Sequence, residues 1–390
     1  MRNLLLESGV ASCNKYGEDL CGDFISTIEK DDMTTIVLSD GLGSGVKANI
    51  LASLTSKIVA TMLTQGAELE DVLETIASTL PVCSERHLAY STFTFLELGV
   101  TGQAYLVEYD NPPMLLLRAG KRVEIPYEER DVAGKCVRQA RFSICPEDVF
   151  VLMSDGVTHA GLGSYLDLGW RWENVATYME NAVLRDKSPR TLQNLLLQAC
   201  KSLYNQTIRD DTSVCVCRAR IPSQTCVMVG PPQNREQDRF LVDTLLSFEG
   251  NKVVCGGTTS KIVSKVSGRA LTTQLDYITP EIPPVAKIEG VDLVTEGVVT
   301  MGRALELMRA YAAGDTGRDR VLQQGRDGAY LLAQLLVQKS TSVKFLVGRA
   351  LNPAYDDPDM PLDLTMKLRL VHDIAQCLRD LDKQVTLAFF

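Results

Sequence analysis

Thr35-Ile-Val-Leu-Ser-Asp-Gly-Leu-Gly-Ser-Gly45 is the stretch that decides the fold. A β-branched, apolar run ends in an acid and a glycine, the pattern of a buried strand opening into a tight turn. The pattern returns far along the chain as Val149-Phe-Val-Leu-Met-Ser-Asp-Gly156. Ile208-Arg-Asp-Asp-Thr-Ser-Val-Cys-Val216 then places two acids just before another apolar strand. A carboxylate at a strand end has a fixed backbone beneath it and solvent at its head. Three such positions from distant parts of the chain suggest one shared purpose, since carboxylate clusters suit hard divalent cations. The sequence therefore points to a two-metal hydrolytic centre.

Outward from these motifs, residues 1–220 alternate strands and helices. Leu51, Leu54, Ile58 and Met62 recur at steps of three and four, which predicts a helix with these residues as its core-facing stripe. Glu68 to Leu80 reads as a second helix, stopped before Pro81. Tyr90 to Leu98, Gln103 to Tyr109 and Met114 to Arg118 read as strands, with Asp110-Asn-Pro-Pro113 turning the chain into the last of them. Two further helical patterns, Glu173 to Leu184 and Pro189 to Tyr204, precede the final strand from Thr212. Sheets covered on their outer faces by helices are the expected architecture. Arg218 to Thr225 reads as a boundary. Residues 226–390 restart as a smaller α/β domain, with strands at Cys226 to Val229, Lys252 to Cys255 and Val291 to Val294, and a helical end.

Composition narrows the class. The chain has 390 residues, 45% hydrophobic and 23% charged, with formal net charge −9. That charge argues against nucleic acid as a partner. The 29 acidic against 21 basic residues of positions 1–220 put the excess in the half that bears the aspartate motifs. No unbroken apolar run approaches the roughly 20 residues of a membrane span, and Leu4 to Leu6 is too short for a secretory core. A cytoplasmic location is expected. The 11 cysteines are scattered without C-x-x-C, and the three histidines lack zinc spacing, so reduced, buried thiols are expected. His87 reads as structural and His159 as a polar loop residue.

Gly22-Asp23, Ser39-Asp-Gly-Leu-Gly-Ser-Gly45, Asn111-Pro-Pro113, Met153-Ser-Asp-Gly156 and Asp210-Asp-Thr-Ser-Val214 occur in that order. Together they resemble the metal-dependent protein phosphatases of type 2C, most closely the stage II sporulation protein E branch. Over residues 1–220 the resemblance implies an α/β (α+β) fold, a β-sandwich flanked by helices, with two divalent cations, Mn2+ or Mg2+, at one edge. It implies that Asp40 bridges the metals, that the Gly41 carbonyl ligates one, and that Asp155 and Asp210 bind the second. Asp23 would hold water on the metals, directly or at one remove. Thr212-Ser213 departs from the family's usual Met-Thr, which leaves Asp211 as an alternative to Asp210. Two cations about 3.5–4 Å apart would activate water for attack on phosphoserine or phosphothreonine. The implied substrate is a phosphorylated regulatory protein of the anti-sigma-factor-antagonist type.

Two other readings stand beside this one. Asp-Gly pairs are favoured at ordinary strand-to-helix turns, though turns do not explain the ordered set. A non-catalytic metal-binding module, recruiting a partner through its second domain, is the rival function. Gly41 to Lys47 lacks the Gly-Lys-Ser/Thr ending of a nucleotide loop. In the second domain, Val253-Val-Cys-Gly-Gly-Thr-Thr-Ser-Lys261 makes an anion-friendly helix start, with Gly256 to Thr259 as the candidate site for a small phosphorylated ligand. Val229 to Pro232 and Thr295 to Thr300 form similar turns, and parallel strands would gather all three at one edge.

Overall fold

The apolar runs around the aspartate motifs become two antiparallel sheets packed face to face. The structure is a computed structural model that describes residues 3–30, 32–79, 91–132, 135–273, 281–313, 322, 325–350 and 362–390. It divides into two units, Met1–Ile221 and Pro222–Phe390. The first unit runs β1 (Leu5–Cys13), β2 (Asp23–Lys30), β3 (Met33–Gly41), α1 (Gly45–Thr64), α2 (Leu69–Thr79), β4 (Ser91–Gly99), β5 (Gln103–Tyr109), β6 (Leu115–Arg118) and β7 (Lys121–Val123). It continues with β8 (Glu128–Val132), β9 (Lys135–Ser143), β10 (Val149–Met153), α3 (Asp155–Thr158), α4 (Trp172–Val183), α5 (Pro189–Leu203) and β11 (Thr212–Arg220). One sheet has the order β2-β3-β4-β5-β9-β8, the other β1-β11-β10-β6-β7.

Period-two alternation sends successive residues to opposite faces. Ile36, Leu38, Leu96, Phe150, Leu152, Cys215 and Cys217 fill the space between the sheets. Val37, Phe93 and Phe95 face outward with α1 and α2 residues, while Val149, Val151 and Val216 do so with α4 and α5 residues. Both faces are covered, so these strands are apolar throughout. The unit is the expected helix-flanked β-sandwich.

Helix α1 corrects the sequence-based stripe. Its buried face is Gly45, Ala48, Ala52, Thr55, Ser56, Val59, Ala60 and Leu63. Leu54 is 43% exposed, and Leu51, Ile58 and Met62 only flank the core. The cause is close approach. A Cβ at Gly41 would stand 2.0 Å from the Ala48 carbonyl oxygen, and the Ser26 and Ser56 hydroxyls hydrogen-bond at 2.7 Å. Only small residues fit against the strands, so the larger ones turn outward. By length and composition α1 could cross a membrane, with mean hydropathy 1.2 in its most apolar window. Here its small-residue face lies on the sheet.

The second unit contains β12 (Gln224–Val229), α6 (Gln237–Leu246), β13 (Asn251–Cys255), α7 (Gly257–Ser267), β14 (Thr272–Thr273), β15 (Ala286–Lys287), β16 (Leu293–Thr295) and α8 (Val298–Ala313). After these come α9 (Gly328–Gln334), a π turn (Leu335–Lys339), β17 (Ser342–Val347), α10 (Leu362–Arg379) and β18 (Gln384–Phe389). Its sheet order is β14-β15-β16-β13-β12-β17-β18, with β16, β13, β12, β17 and β18 parallel. Helices cover both faces, an open doubly wound arrangement. The expected helical end is corrected: α10 leads into β18, which pairs with β17 from Ser342↔Gln384 to Val347↔Phe389. Only the short Asp380–Lys383 turn separates helix from strand, and the sequence offers no stronger break.

Candidate metal centre

The register of the sheets carries the acids to one edge. In an antiparallel pair, the start of one strand lies beside the end of its neighbour. Asp23, first in β2, therefore pairs with Asp40 near the end of β3. Met153 ends β10 opposite Val214 near the start of β11, and the Ser154 amide donates to the Ser213 carbonyl at 3.0 Å. That contact brings Asp155, first in α3, against Asp210 and Asp211, which precede β11. Glycine is needed there: a Cβ at Gly156 would stand 2.1 Å from the Asp211 carbonyl oxygen.

Every sequence-predicted aspartate reaches this edge. Asp23 is 3% exposed, and neither of its oxygens has a hydrogen-bond partner among the described residues. Burial first, then the Asp23 and Asp155 charges, push the Asp40 carboxyl well above the usual carboxylate range. Burial likewise raises Asp23, against the pull of the nearby Ser154 and Ser213 hydroxyls and with the Asp211 and Asp155 charges adding to it. Asp210 is raised by burial and then by Asp155, while the Lys15 charge pulls it down. Its Oδ1 accepts from the Asp211 amide at 3.1 Å. One ligand atom from each of Asp155, His159 and Asp210 lies within 4.8 Å of the others. Gly41, the predicted carbonyl ligand, ends β3 at the same edge.

Several neighbours were not legible beforehand. Asp211, left open against Asp210, is equally present but turned differently. Its Oδ1 accepts from the Lys15 amide at 3.0 Å, and its buried Oδ2 has no partner among the described residues. Residues 14–22 bring Lys15, Glu18 and Cys21 to this edge, and Glu18 Oε1 accepts from the Ser44 hydroxyl at 2.9 Å. Burial and the Asp23 charge push the Cys21 thiol up to about 12, so it is a poor nucleophile. His159, expected as a polar loop residue, is exposed in the turn that follows α3, four residues beyond Asp155. His87 lies outside the described residues. No spacing in the sequence links residues 15 and 18 to the aspartates, because their proximity arises from tertiary pairing, whereas His159 stands i+4 from Asp155.

The middle motif is a brace. Asn111 Nδ2 donates to Thr94 Oγ1 at 3.0 Å, and Asn111 Oδ1 accepts from Thr92 at 3.3 Å. Thr92 is the β4 partner of Asp40. Beside it the buried Glu108 accepts from the Met114 amide at 2.6 Å and from Tyr127 at 3.2 Å, and pairs with Arg138 at 3.0 Å. The turn therefore stiffens the strand on which Asp40 depends.

A divalent cation suits these residues. Buried like charges cannot all ionise without positive charge nearby, and the raised carboxyls and partnerless Asp23 oxygens express that deficit. The donors are oxygens, apart from one imidazole, and hard cations take oxygen donors.

In the second unit, the three glycine-bearing turns do gather at one sheet edge, because β12, β13 and β16 are parallel. They line a cavity of about 270 Å³ with Gly230, Gly256, Gly257, Thr259, Glu296 and Lys367 among its walls.

Comparison with known proteins finds one matching family and several similar chains. The family described as Stage II sporulation protein E (SpoIIE) matches residues 30–220. Stage II sporulation protein E of Priestia megaterium is 22% identical over 228 residues, which cover 55% of this chain and 36% of that protein. The alignment thus spans little more than a third of the curated relative's length. Among solved structures, the phosphatase domain of the cell fate determinant SpoIIE from Bacillus subtilis is 20% identical with TM-score 0.44, covering 57% of this chain and 95% of that one. A structure of the PP2C phosphatase domain with a fragment of the regulatory domain, from the same organism, is 19% identical with TM-score 0.47, covering 56% and 63%.

Proposed function

We propose, because residues 30–220 match the family described as Stage II sporulation protein E (SpoIIE), that this chain is a manganese- or magnesium-dependent protein phosphatase acting on phosphoserine and phosphothreonine. The observation that carries the proposal is Asp23, buried with both oxygens partnerless, beside Asp40, Asp155 and Asp210. Asp40, the Gly41 carbonyl, Asp155 and Asp210 would hold two divalent cations. When bound, such cations supply Lewis acidity and a water nucleophile near neutral pH. Asp23 would hold and orient a water at an Oδ atom. Asp211, accepting from the Lys15 amide, tethers the 14–22 segment at the edge of the site. Lys15, whose charge already acts on Asp210, attracts the phosphoryl oxygens. Cys21 stays protonated and takes no covalent part.

The substrate we propose is a phosphorylated regulatory protein of the anti-sigma-factor-antagonist type, supported by the family relationship of residues 30–220. Purified protein should hydrolyse para-nitrophenyl phosphate and a phosphoserine peptide with Mn2+ present and stop on adding EDTA. Asp40→Asn should lower kcat by about a hundredfold or more without unfolding the chain. Undiminished turnover in that variant sinks the assignment.

For the second unit we propose a small phosphorylated ligand at Gly256–Thr259. A Cβ at Gly257 meets nothing within 4 Å, so the start of α7 opens onto free space. Inorganic phosphate or ADP should raise the melting temperature of the chain, and Gly257→Asp should remove that shift by placing an anion at the helix start. No shift with either ligand rejects the proposal.

A further inference from the structure

Among the described residues, one histidine accompanies the acidic edge. His159 directly follows α3, held there by its amide donating to the Asp155 carbonyl at 2.8 Å. Four residues apart on a helical turn, its ring and the Asp155 carboxyl lie on one face. Nδ1 stands 3.7 Å from Asp155 Oδ2, with the two side chains 48% and 43% exposed. The edge therefore has two sides. Asp23 lies inward and is buried, whereas Asp40, Asp155 and Asp210 are half-buried and His159 is exposed.

We propose that His159 is a direct ligand of a divalent cation held with Asp155 and Asp210 on the solvent-facing side of the cluster. Its imidazole biases that position toward Mn2+, Fe2+ or Zn2+ and away from Mg2+. This inference rests on the phosphatase proposal only in taking the edge as a cation site. Two observations carry it independently of the family. Donor atoms of the trio already lie within 4.8 Å of one another. Ligands about 2.1 Å from one octahedral ion stand about 3 Å apart when adjacent and about 4.2 Å when opposite, so modest rotation of three partly exposed side chains closes the set. The 3% exposed Asp23 carboxylate, whose oxygens have no hydrogen-bond partner among the described residues, lies close enough to feel the Asp155 charge, which leaves the cluster short of positive charge. A pure carboxylate set would favour Mg2+ as readily as Mn2+. A neutral imidazole nitrogen changes that balance, since Mg2+ prefers oxygen while the later divalent ions take imidazole well.

Pulsed electron paramagnetic resonance on the full chain loaded with Mn2+ tests this directly. Wild type should show nitrogen modulation from a coordinated imidazole, and His159→Ala should lose it. Calorimetry should find Mn2+ binding about tenfold or more weaker in His159→Ala, with Mg2+ binding changed less than about twofold. His159→Asp, which restores an oxygen donor, should keep Mg2+ and lose the nitrogen signal, guarding against a merely misfolded alanine variant. Absent modulation in Mn2+-loaded wild type, or an unaltered Mn2+ to Mg2+ ratio in both variants, overturns the assignment. Mn2+-dependent turnover measured alongside separates the two proposals. Turnover without modulation removes His159 alone, whereas modulation without turnover sustains His159 and removes the phosphatase reading.

Discussion

A buried carboxylate with no partner is costly unless something else neutralises it, and Asp23 and Asp40 together make that cost pH-dependent. Both carboxyls are raised first by burial, Asp40 further by the Asp23 and Asp155 charges and Asp23 by those of Asp211 and Asp155, so the folded state binds protons more tightly than the unfolded chain. Their contribution to stability is full below the ordinary carboxylate range and is lost as pH rises through the raised values. The metal-free protein should therefore melt at progressively lower temperature between about pH 5 and pH 8, and added Mn2+ should recover more at the upper end. A melting temperature independent of pH in EDTA would contradict this. Asp40→Asn removes one of the repelling charges, so the metal-free variant should melt above metal-free wild type in the same buffer. At this scale, Asp40, Asp155 and Asp210 were legible because each stands at a strand end in a repeated local pattern. Asp23 carried only a Gly-Asp pair. Lys15 acquires meaning from tertiary neighbours that no local pattern encodes, and His159 from its i,i+4 spacing to Asp155 together with the tertiary approach of Asp210.

Elements were legible where periodicity matched burial and misleading where packing distance overrode it. The existence of α1 followed from its apolar steps, but its face did not, because the helix lies too close to β2 and β3 for large side chains. The two faces should respond oppositely. Ala52 is fully buried, so Ala52→Leu should destabilise by about 1–3 kcal/mol through overpacking. Leu54→Ala, on the 43% exposed face, should stay within about 0.5 kcal/mol of wild type. Urea unfolding measures both, and the reverse ranking would restore the stripe read from the sequence. Glu108 offers a second check on the brace below the site. Removing its buried carboxylate strands Arg138 and two other donors, so Glu108→Ala should cost about 3–5 kcal/mol. Strands β1 and β2 escaped prediction because polar residues interrupt them. Glu7, Ser8 and Ser12 break the first, and the charged end of the second faces solvent.

At the scale of the whole molecule, chain connectivity decides which pieces stand alone. The first unit is closed by its ends: β1 pairs with β11 along nine positions, from Leu5↔Arg220 to Cys13↔Thr212. Residues 210–220 thus supply both the last acids of the site and β11, the strand between β1 and β10 in one sheet. The second unit draws its two cores only from residues after Pro222. The pattern of strand ends foretold the edge where the acids meet, whereas β18 and the strand order of the second unit depended on long-range pairing. These facts make fragments a sharp test. Residues 1–221 alone should fold cooperatively and keep Mn2+-dependent turnover of para-nitrophenyl phosphate. A fragment ending at residue 205 should lose both, since β1 and β10 would face an empty position and Asp210 would be gone. Residues 222–390 should fold separately and show no turnover. Circular dichroism melts and metal-dependent assays on the three fragments would read all of this, and activity surviving in the 1–205 fragment would break the link between β11 and the site.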